Sequence, residues 1–192
     1  MLDHIRPAIT LTLVFTALTG LAYPLVMTGA AQVLFPAAAT GSLIEREGQV
    51  IGSGQIAQPF AGAAYLHPRP SASGWNAAGT GASNLGPTSA TLIASVADRR
   101  AAWEATNGTD APIDAVTASG SGLDPDISVA NALGQADRIA KARGADPTAV
   151  RALIEGAVEP PFLGLYGEAR VNVLLTNIAL DEAFPIPPAG GE

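Results

Sequence analysis

The residues best suited to chemistry lie in the stretch Thr117–Ser128, which reads Thr-Ala-Ser-Gly-Ser-Gly-Leu-Asp-Pro-Asp-Ile-Ser. Flexible glycines and hydroxyls before a helix can present a row of backbone N–H groups, and these groups together with the helix dipole form an anion site. A tight turn is the commoner structure for the same pattern. The stretch therefore predicts either a tight turn or a nucleotide-binding loop, whose candidate residues are Ser119, Gly120, Ser121 and Gly122.

Two acids close this stretch, Asp124 and Asp126, with Pro125 between them. Paired carboxylates suit acid–base catalysis or a hard cation. Acids at a helix N-terminus are also favoured by the helix dipole, by about 0.3–1 kcal/mol. Both acids come just before a predicted helix, Ser128–Arg143. We therefore expect them to stabilise the N-terminus of that helix, which we call the helix-start role.

Few other residues of the chain could act in catalysis or bind a metal. The chain has no cysteine, which excludes disulfides, thiolate zinc sites and cysteine nucleophiles. Its two histidines are His4 and His67, and we interpret His67 as a structural loop residue. There is no Gly-Lys-Ser/Thr phosphate loop and no Asp-Lys-Thr-Gly-Thr motif of an aspartyl-phosphate pump. We therefore expect no catalytic and no metal-ligating residues.

Composition excludes nucleic acid as a partner. Ten basic residues stand against 17 acidic ones, for a net charge of −7. Lys141 is the single lysine, so no basic patch is available to neutralise a phosphate backbone. The length of 192 residues fits one domain with appendages.

The N-terminal part predicts a membrane anchor. No charged residue lies between Pro7 and Ile44, and about 20 apolar residues suffice to cross a hydrocarbon core of roughly 30 Å. We place the transmembrane helix at residues 8–27 and a linker at 28–41. A cleaved signal peptide is the alternative, but its apolar region is only about 7–15 residues long.

Flanking charge predicts the orientation. Arg6 and the α-amino group precede the span, whereas the first charges after it begin at Glu45. The positive-inside rule then places residues 1–7 in the cytoplasm and the soluble part outside it.

One face of the predicted span carries residues with small side chains at every fourth position, including Thr12, Thr16, Gly20 and Pro24. Membrane helices associate through such faces because small side chains allow close approach. We therefore predict that this face packs on a partner helix.

The soluble part, residues 42–184, predicts a small mixed α/β domain, so the fold class is α/β with one N-terminal transmembrane helix; a Pro/Gly-rich tail follows at 185–192. Residues 60–87 predict a long, irregular but ordered loop. The predicted elements are a hairpin around Glu47-Gly48, helices at Ser89–Thr106, at Ser128–Arg143 and after Asp146, and strands at Ala111–Thr117 and Val171–Leu175.

Three function classes remain from the residues alone. A membrane-anchored accessory subunit of a larger complex explains the small-residue face, the ordered loop and the missing catalytic groups. An extracytoplasmic hydrolase explains only the serines, and a membrane-anchored binding module explains the loops but not the helix face. The first interpretation accounts for most features.

Several long motifs, in one order along the chain, closely resemble the KdpC family, the C subunits of Kdp potassium-transporting ATPases. The resemblance extends from about residue 2 to residue 181. The motifs are Arg6-Pro7-Ala8, Thr19–Pro24, Arg69–Ala72, Asn76-Ala77, Gly81–Thr88, Val116–Pro125 with Ile127-Ser128, Arg138–Ala140, Ala142–Gly144, and Arg170–Val173 with Asn177.

This resemblance implies a non-catalytic accessory subunit of an ATP-driven potassium uptake complex in a bacterial inner membrane. Its implied partners are a channel-like potassium-binding subunit and an ATP-hydrolysing subunit. The family is described as needed for assembly and as a catalytic chaperone that raises ATP affinity, so ATP shared with the catalytic subunit is the one cofactor it suggests. Within the matching motifs, our candidates for docking loops are Arg69, Asn84, Gly86 and Asp124.

This chain departs from the family pattern at three loop positions. Pro68 stands where glycine is usual, Trp75 where tyrosine is usual, and Ala169 where proline is usual. Because glycine and proline require different backbone angles, these positions concern local loop conformation and leave the fold intact.

Overall fold

The computed structural model describes residues 4–186, and the chain divides into two compact units, one up to Ile51 and one from Gly52 onward. Most of the predicted tail, 187–192, lies outside the described residues. The predicted combination of an apolar N-terminal helix and a mixed helix and sheet domain is confirmed.

The first unit begins with one continuous helix, α1, Ile5–Leu34. Its 30 residues make it long and apolar enough to cross a membrane, since about 1.5 Å per residue gives roughly 45 Å. None of its residues is buried in the described structure. The helix contains the whole of the predicted span, residues 8–27, and extends beyond it at both ends.

A π-helical turn, Leu18–Ala22, interrupts α1 just before Pro24. The N–H of Tyr23 donates to the carbonyl of Leu18, five residues earlier. Proline has no N–H, and in a regular helix its ring would clash with the carbonyl four residues earlier, here that of Gly20. The wider turn removes this conflict, so the helix continues to Leu34.

After a short helix, α2, Pro36–Ala39, the unit ends in the predicted hairpin. Strands β1, Leu43–Arg46, and β2, Gln49–Ser53, pair through a two-residue turn. Glu47 and Gly48 both have positive φ, 53° and 77°, as a type I′ turn requires.

The second unit packs its helices around a small antiparallel sheet. The sheet order is β3-β5-β4, with Ile127 opposite Val171 and Val158 opposite the same residue on the other side. The helices are α3 Ala90–Asn107, α4 Ile113–Val116, α5 Val129–Gly134, α6 Ala136–Arg143, α7 Pro147–Gly156 and α8 Val173–Ala183, and the strands are β3 Asp126–Ser128, β4 Val158–Glu159 and β5 Arg170–Asn172.

Helices α3 and α7 confirm the capping signals. The Oγ of Ser89 accepts the N–H of Leu92 at 3.4 Å, and Gly108 ends α3 in a left-handed conformation. At α7, Asp146 caps the N-terminus by accepting the N–H of Thr148 at 3.0 Å.

One predicted strand is wrong, and a second is confirmed only at its first two residues. The segment Ala111–Thr117 forms the helical turn α4, because Pro112 fixes a φ of −61° and Thr117 donates both its N–H and its hydroxyl to Ile113. The run Val171–Leu175 changes from strand to helix at Asn172, whose side chain accepts the N–H of Leu175 at 3.1 Å. An N-cap asparagine therefore overrides a continuous apolar run.

The helix predicted at Ser128–Arg143 is confirmed in its bounds but not as one helix, since it breaks at Gln135 into α5 and α6. Gly134 lies against the indole of Trp103, where an added Cβ would be 2.9 Å from a ring carbon. Close packing of α3 on this point and the hydrogen bonds of Gln135 described below account for the break.

The core lies among the sheet, α5 to α8 and one residue of the irregular loop, Leu66, which is fully buried. Asn177 on α8 accepts the N–H of Leu66 at 2.7 Å and donates to its carbonyl at 3.0 Å. A side-chain amide thus satisfies both backbone groups, as a neighbouring strand would.

We expect Asn177→Ala to lower the free energy of unfolding by about 2–4 kcal/mol, because it leaves a buried N–H and a buried carbonyl without partners. Urea unfolding of the full chain in detergent measures the change. Glu182→Ala, at an exposed position of the same helix, is the control and should change stability by less than about 0.5 kcal/mol. Equal losses in the two variants would contradict the role of Asn177.

Candidate functional site

The irregular loop 60–87 is held to the helices by side chains, and Arg138 makes several of these bonds. Its guanidinium donates to the carbonyls of Ala63 at 2.7 Å and Tyr65 at 3.0 Å. It also donates to Asn107 at 2.9 Å and to Gln135 at 2.6 Å. Burial lowers the pKa of Arg138 to about 10, so the group stays charged at neutral pH. Arg138 therefore ties the loop to both α3 and α6.

Gln135 holds the next loop residue. Its Oε1 accepts the N–H of His67 at 2.8 Å, and its Nε2 donates to the carbonyl of His67 at 3.2 Å and to Asn131 at 2.8 Å. Both Gln135 and Asn131 are buried. Two consecutive loop residues, Leu66 and His67, are thus each paired to one amide side chain.

Arg143, at the end of α6, joins the loop to α8. Its Nε donates to Ala64 at 2.8 Å, and NH1 donates to the carbonyls of Leu180 and Phe184 at 3.0 and 2.8 Å. NH2 pairs with Asp181 at 2.9 Å, and the guanidinium lies 5.0 Å from the ring centre of Tyr65. A buried charge is tolerated only with such full pairing.

Sequence reasoning assigned no role to these anchors. Asn131, Gln135 and Arg138 are spaced four and three residues apart, so they share one helix face, a pattern that usually marks a solvated surface. A long ordered loop with few apolar residues needs polar partners. The combination of such a loop with a polar helix face is the signal that could have found them.

The predicted nucleotide loop closes on the second half of the irregular loop. The N–H of Ser119 donates to Pro70 at 2.9 Å, and the N–H of Gly81 donates to Ser121 at 2.8 Å. The hydroxyl of Ser71 donates to the carbonyl of Gly122 at 2.7 Å. The two loops therefore form one hydrogen-bonded surface, which we call the paired-loop surface, residues 69–81 and 117–124.

Three N–H groups of the predicted nucleotide loop, those of Ser121, Gly122 and Leu123, are bonded within the loop itself. Ser119 is buried, and its Oγ accepts the N–H groups of Ser121 and Gly122 at 3.2 and 3.0 Å. The Oγ of Ser121 accepts the N–H of Leu123 at 3.0 Å. These bonds are those of a tight turn stabilised by serine side chains. Nucleotide binding by this loop stays a prediction.

Two of the docking-loop candidates meet at the edge of the paired-loop surface. Arg69 and Asp124 form an ion pair at 3.0 Å, and both side chains are partly exposed. Asn84 and Gly86 lie farther along the irregular loop and bond locally, Asn84 to Ala82 at 3.3 Å and Gly86 through its carbonyl to the N–H of Ser89 at 3.0 Å.

The helix-start role expected for Asp124 and Asp126 is wrong. Asp126 is in strand β3, where it pairs with Arg170 at 3.0 Å, and burial raises its pKa above the usual value. Asp114, from α4, takes the expected role: its carboxylate accepts the N–H and the hydroxyl of Ser128, both at 2.8 Å. The acid that supports this helix N-terminus thus comes from an earlier part of the chain.

Both tryptophans of the chain line one open groove of about 330 Å³ beside the paired-loop surface. Trp75 has a φ of 56°, rare for a bulky residue, and Trp103 donates to Thr109 at 3.2 Å. Burial lowers the pKa of His67, which therefore lines the groove as a neutral ring. With Arg99 as the cation of the lining, the groove could hold a flat apolar group.

The residues of the predicted helix face, Thr12, Thr16, Gly20 and Pro24, are all exposed in the described structure. Gly20 lies in the π turn and Pro24 just after it. In residues 4–186 no group of three or more His, Cys, Asp or Glu side chains could hold a metal ion.

We expect Gly122→Ala to destabilise the chain by more than about 1–2 kcal/mol, the cost of a left-handed conformation for a non-glycine residue. Gly122 has a φ of +70°, and an added Cβ would lie 2.7 Å from the carbonyl oxygen of Gly81. Gly120→Ala is a matched control two residues away, where nothing lies within 4 Å of an added Cβ. Urea unfolding compares the two, and equal stability would contradict the closed loop.

Comparison with known proteins identifies the family. The family described as "KdpC: K+-transporting ATPase, c chain" matches residues 5–182. A relative from Cereibacter sphaeroides named "Potassium-transporting ATPase KdpC subunit" is 66% identical over 183 residues, which cover 95% of this chain and 99% of the relative. Relatives of the same name from Rhodospirillum rubrum and Caulobacter vibrioides are 57% and 52% identical, covering 97% and 96% of this chain and 99% and 96% of the relatives. The chain therefore belongs to the KdpC family, the C chains of potassium-transporting ATPases.

Proposed function

We propose that this chain is the non-catalytic accessory subunit of an ATP-driven, high-affinity potassium uptake complex, needed for assembly and raising the ATP affinity of the ATP-hydrolysing subunit. Family membership supports the complex. The observation that carries the assembly role is helix α1, which is long enough to span a membrane and has no buried residue in the described structure. With no buried residue, this helix offers surface for contact with lipid and with partner helices.

The proposed partners are a channel-like potassium-binding subunit and the ATP-hydrolysing subunit. Thr12, Thr16 and Gly20 offer partner helices a surface without large side chains. Because lipid supplies no hydrophobic drive between helices, close packing at such small residues stabilises association. We therefore assign this face to the contact with a membrane helix of a partner.

We place the ATP effect in the assembled complex. The N–H groups of Ser119, Ser121 and Gly122 are bonded within the chain, which supports a structural role for this loop. The chain then has no cofactor of its own, and any ATP it contacts is shared with the catalytic subunit. It raises ATP affinity by favouring one conformation of its partner, since coupling between sites needs only a preference between states.

Thr16→Leu and Gly20→Leu should weaken association with the complex, because each adds a bulky side chain at the proposed contact. A loss of packing worth about 1–2 kcal/mol corresponds to roughly 5–30-fold weaker binding. The amount of this subunit that co-purifies with the ATPase measures the effect. The depleted complex should also need more ATP for half-maximal hydrolysis.

Thr10→Leu is the matched control for this experiment, since Thr10 lies six residues before Thr16, about 120° around a regular helix and roughly 9 Å along its axis. It should leave the subunit at its normal ratio. Normal ratios in all three variants would contradict the helix contact, and an unchanged ATP requirement in a depleted complex would contradict the ATP effect.

We propose that the N-terminus is cytoplasmic and that the soluble domain is extracytoplasmic, in the bacterial inner membrane. The absence of cysteine allows single-cysteine labelling without background. Asp110→Cys, at an exposed position, should react with a membrane-impermeant maleimide in intact spheroplasts. His4→Cys should react only after permeabilisation, and the reverse pattern would overturn the orientation.

A further inference from the structure

Four large apolar side chains are strongly exposed on one tight turn between β4 and β5. Phe162, Leu163, Leu165 and Tyr166 expose 70, 75, 80 and 71% of their surface. We call residues 162–166 the apolar tongue. Single exposed apolar residues are ordinary on protein surfaces, but contiguous patches mark interaction sites. The tongue is therefore a candidate surface for contact with another molecule.

The tongue has a fixed backbone. Phe162 and Tyr166 exchange hydrogen bonds in both directions, at 2.9 and 3.1 Å, and the N–H of Gly164 donates to Pro161 at 2.9 Å. Leu163 has a φ of 53°, a left-handed conformation that side-chain-bearing residues rarely adopt. Such a conformation persists only where the surroundings hold it. The turn thus presents its side chains in one arrangement.

The base of the tongue is the sheet itself. Below the turn, Val158 pairs with Val171 and Glu159 with Arg170. Val171 is fully buried and belongs to β5, the central strand. The tongue is therefore the tip of a hairpin whose strands belong to the core sheet. Because its backbone is already ordered, binding through it loses little conformational entropy.

The charges around the tongue indicate the kind of partner. Residues 155–170 carry three acids, Glu155, Glu159 and Glu168, against one base, Arg170. Arg170 is already paired with Glu159 at 2.7 Å and with Asp126 at 3.0 Å. The border of the tongue is thus net negative. Such a border does not suit an anionic lipid surface, because anionic head groups attract basic residues. It does not suit a second copy of this chain either, because the same acids would then face each other.

We propose that the apolar tongue docks in an apolar pocket, bordered by lysine or arginine side chains, on another protein subunit of the ATPase complex. This rests on the proposed function, because it requires that the chain is assembled with such subunits, and it names the part of the soluble domain that makes the contact. Aromatic and aliphatic side chains seated in a pocket supply most of the binding energy, and the charged border sets the orientation.

Photocrosslinking in the assembled complex tests the proposal. The full chain carries p-benzoylphenylalanine in place of Leu165, and the control carries it in place of Ile113, which is likewise 80% exposed. The expected result is a covalent adduct with the mass of this chain plus one subunit of the complex, formed at least about fivefold more from position 165, as a central contact predicts. An adduct with lipid, an adduct with a second copy, or equal yields at the two positions would overturn it.

A charge reversal tests the basic border. Glu168→Lys, added to the position 165 variant, should lower the adduct yield by about threefold or more, since like charges across an interface are unfavourable. Glu104→Lys, at an exposed position of α3, is the control and should leave the yield unchanged. An unchanged or higher yield with Glu168→Lys would contradict the basic border.

Co-purification separates this proposal from the proposed function. If the chain remains in the complex but Leu165 gives no adduct with a subunit, the tongue is not the contact and the accessory role stands. If the chain is absent from the complex before irradiation, the accessory role fails, and the tongue assignment fails with it.

Discussion

The buried backbone groups of an irregular loop must find hydrogen-bond partners, and the arrangement of this domain depends on how they do so. Loop 60–87 passes through the core at Leu66 without forming a strand. Asn177 and Gln135 pair with the backbone of two consecutive residues, and Arg138 and Arg143 hold the carbonyls just before them. Unpaired groups at these positions would cost about 1–3 kcal/mol each. Side chains of the helices thus supply the hydrogen bonds that a neighbouring strand would otherwise provide.

This arrangement fixes the surfaces that partners can use. Once Arg138 and Gln135 hold the first part of the loop, its second part lies beside the Gly/Ser loop, and the two are joined through Ser119, Ser71 and Gly81. Position 122 requires glycine, because the backbone there is left-handed and lies too close to the neighbouring loop for a Cβ atom. Flexible residues therefore form an ordered surface, which suits docking more than the capture of a mobile ligand.

The surfaces that remain uncovered lie elsewhere. Helix α1 has no buried residue in the described structure, and its π turn allows Pro24 within a helix of membrane-spanning length. The apolar tongue exposes four large side chains from a fixed turn. A helix of membrane-spanning length and an apolar turn are both surfaces that assembly with other subunits can bury.

The sequence by itself determined the long apolar N-terminal helix, the Glu47-Gly48 hairpin and the helices that begin after Ser89 and Asp146. Charge-free length, turn glycines and capping residues act locally, so a local pattern was enough to predict them. Its motifs also identified the family. Two corrections to the fold come from local signals that the apolar pattern hid: the turn at Pro112 in α4 and the N-cap at Asn172. Only the tertiary structure decided the break at Gln135 and the loop anchors, because both depend on contacts between distant segments. The distant partners of Asn131, Gln135, Arg138, Arg143 and Asn177 lie 17 to 111 residues away along the chain. No local pattern therefore distinguishes a buried anchor from a solvated polar side chain.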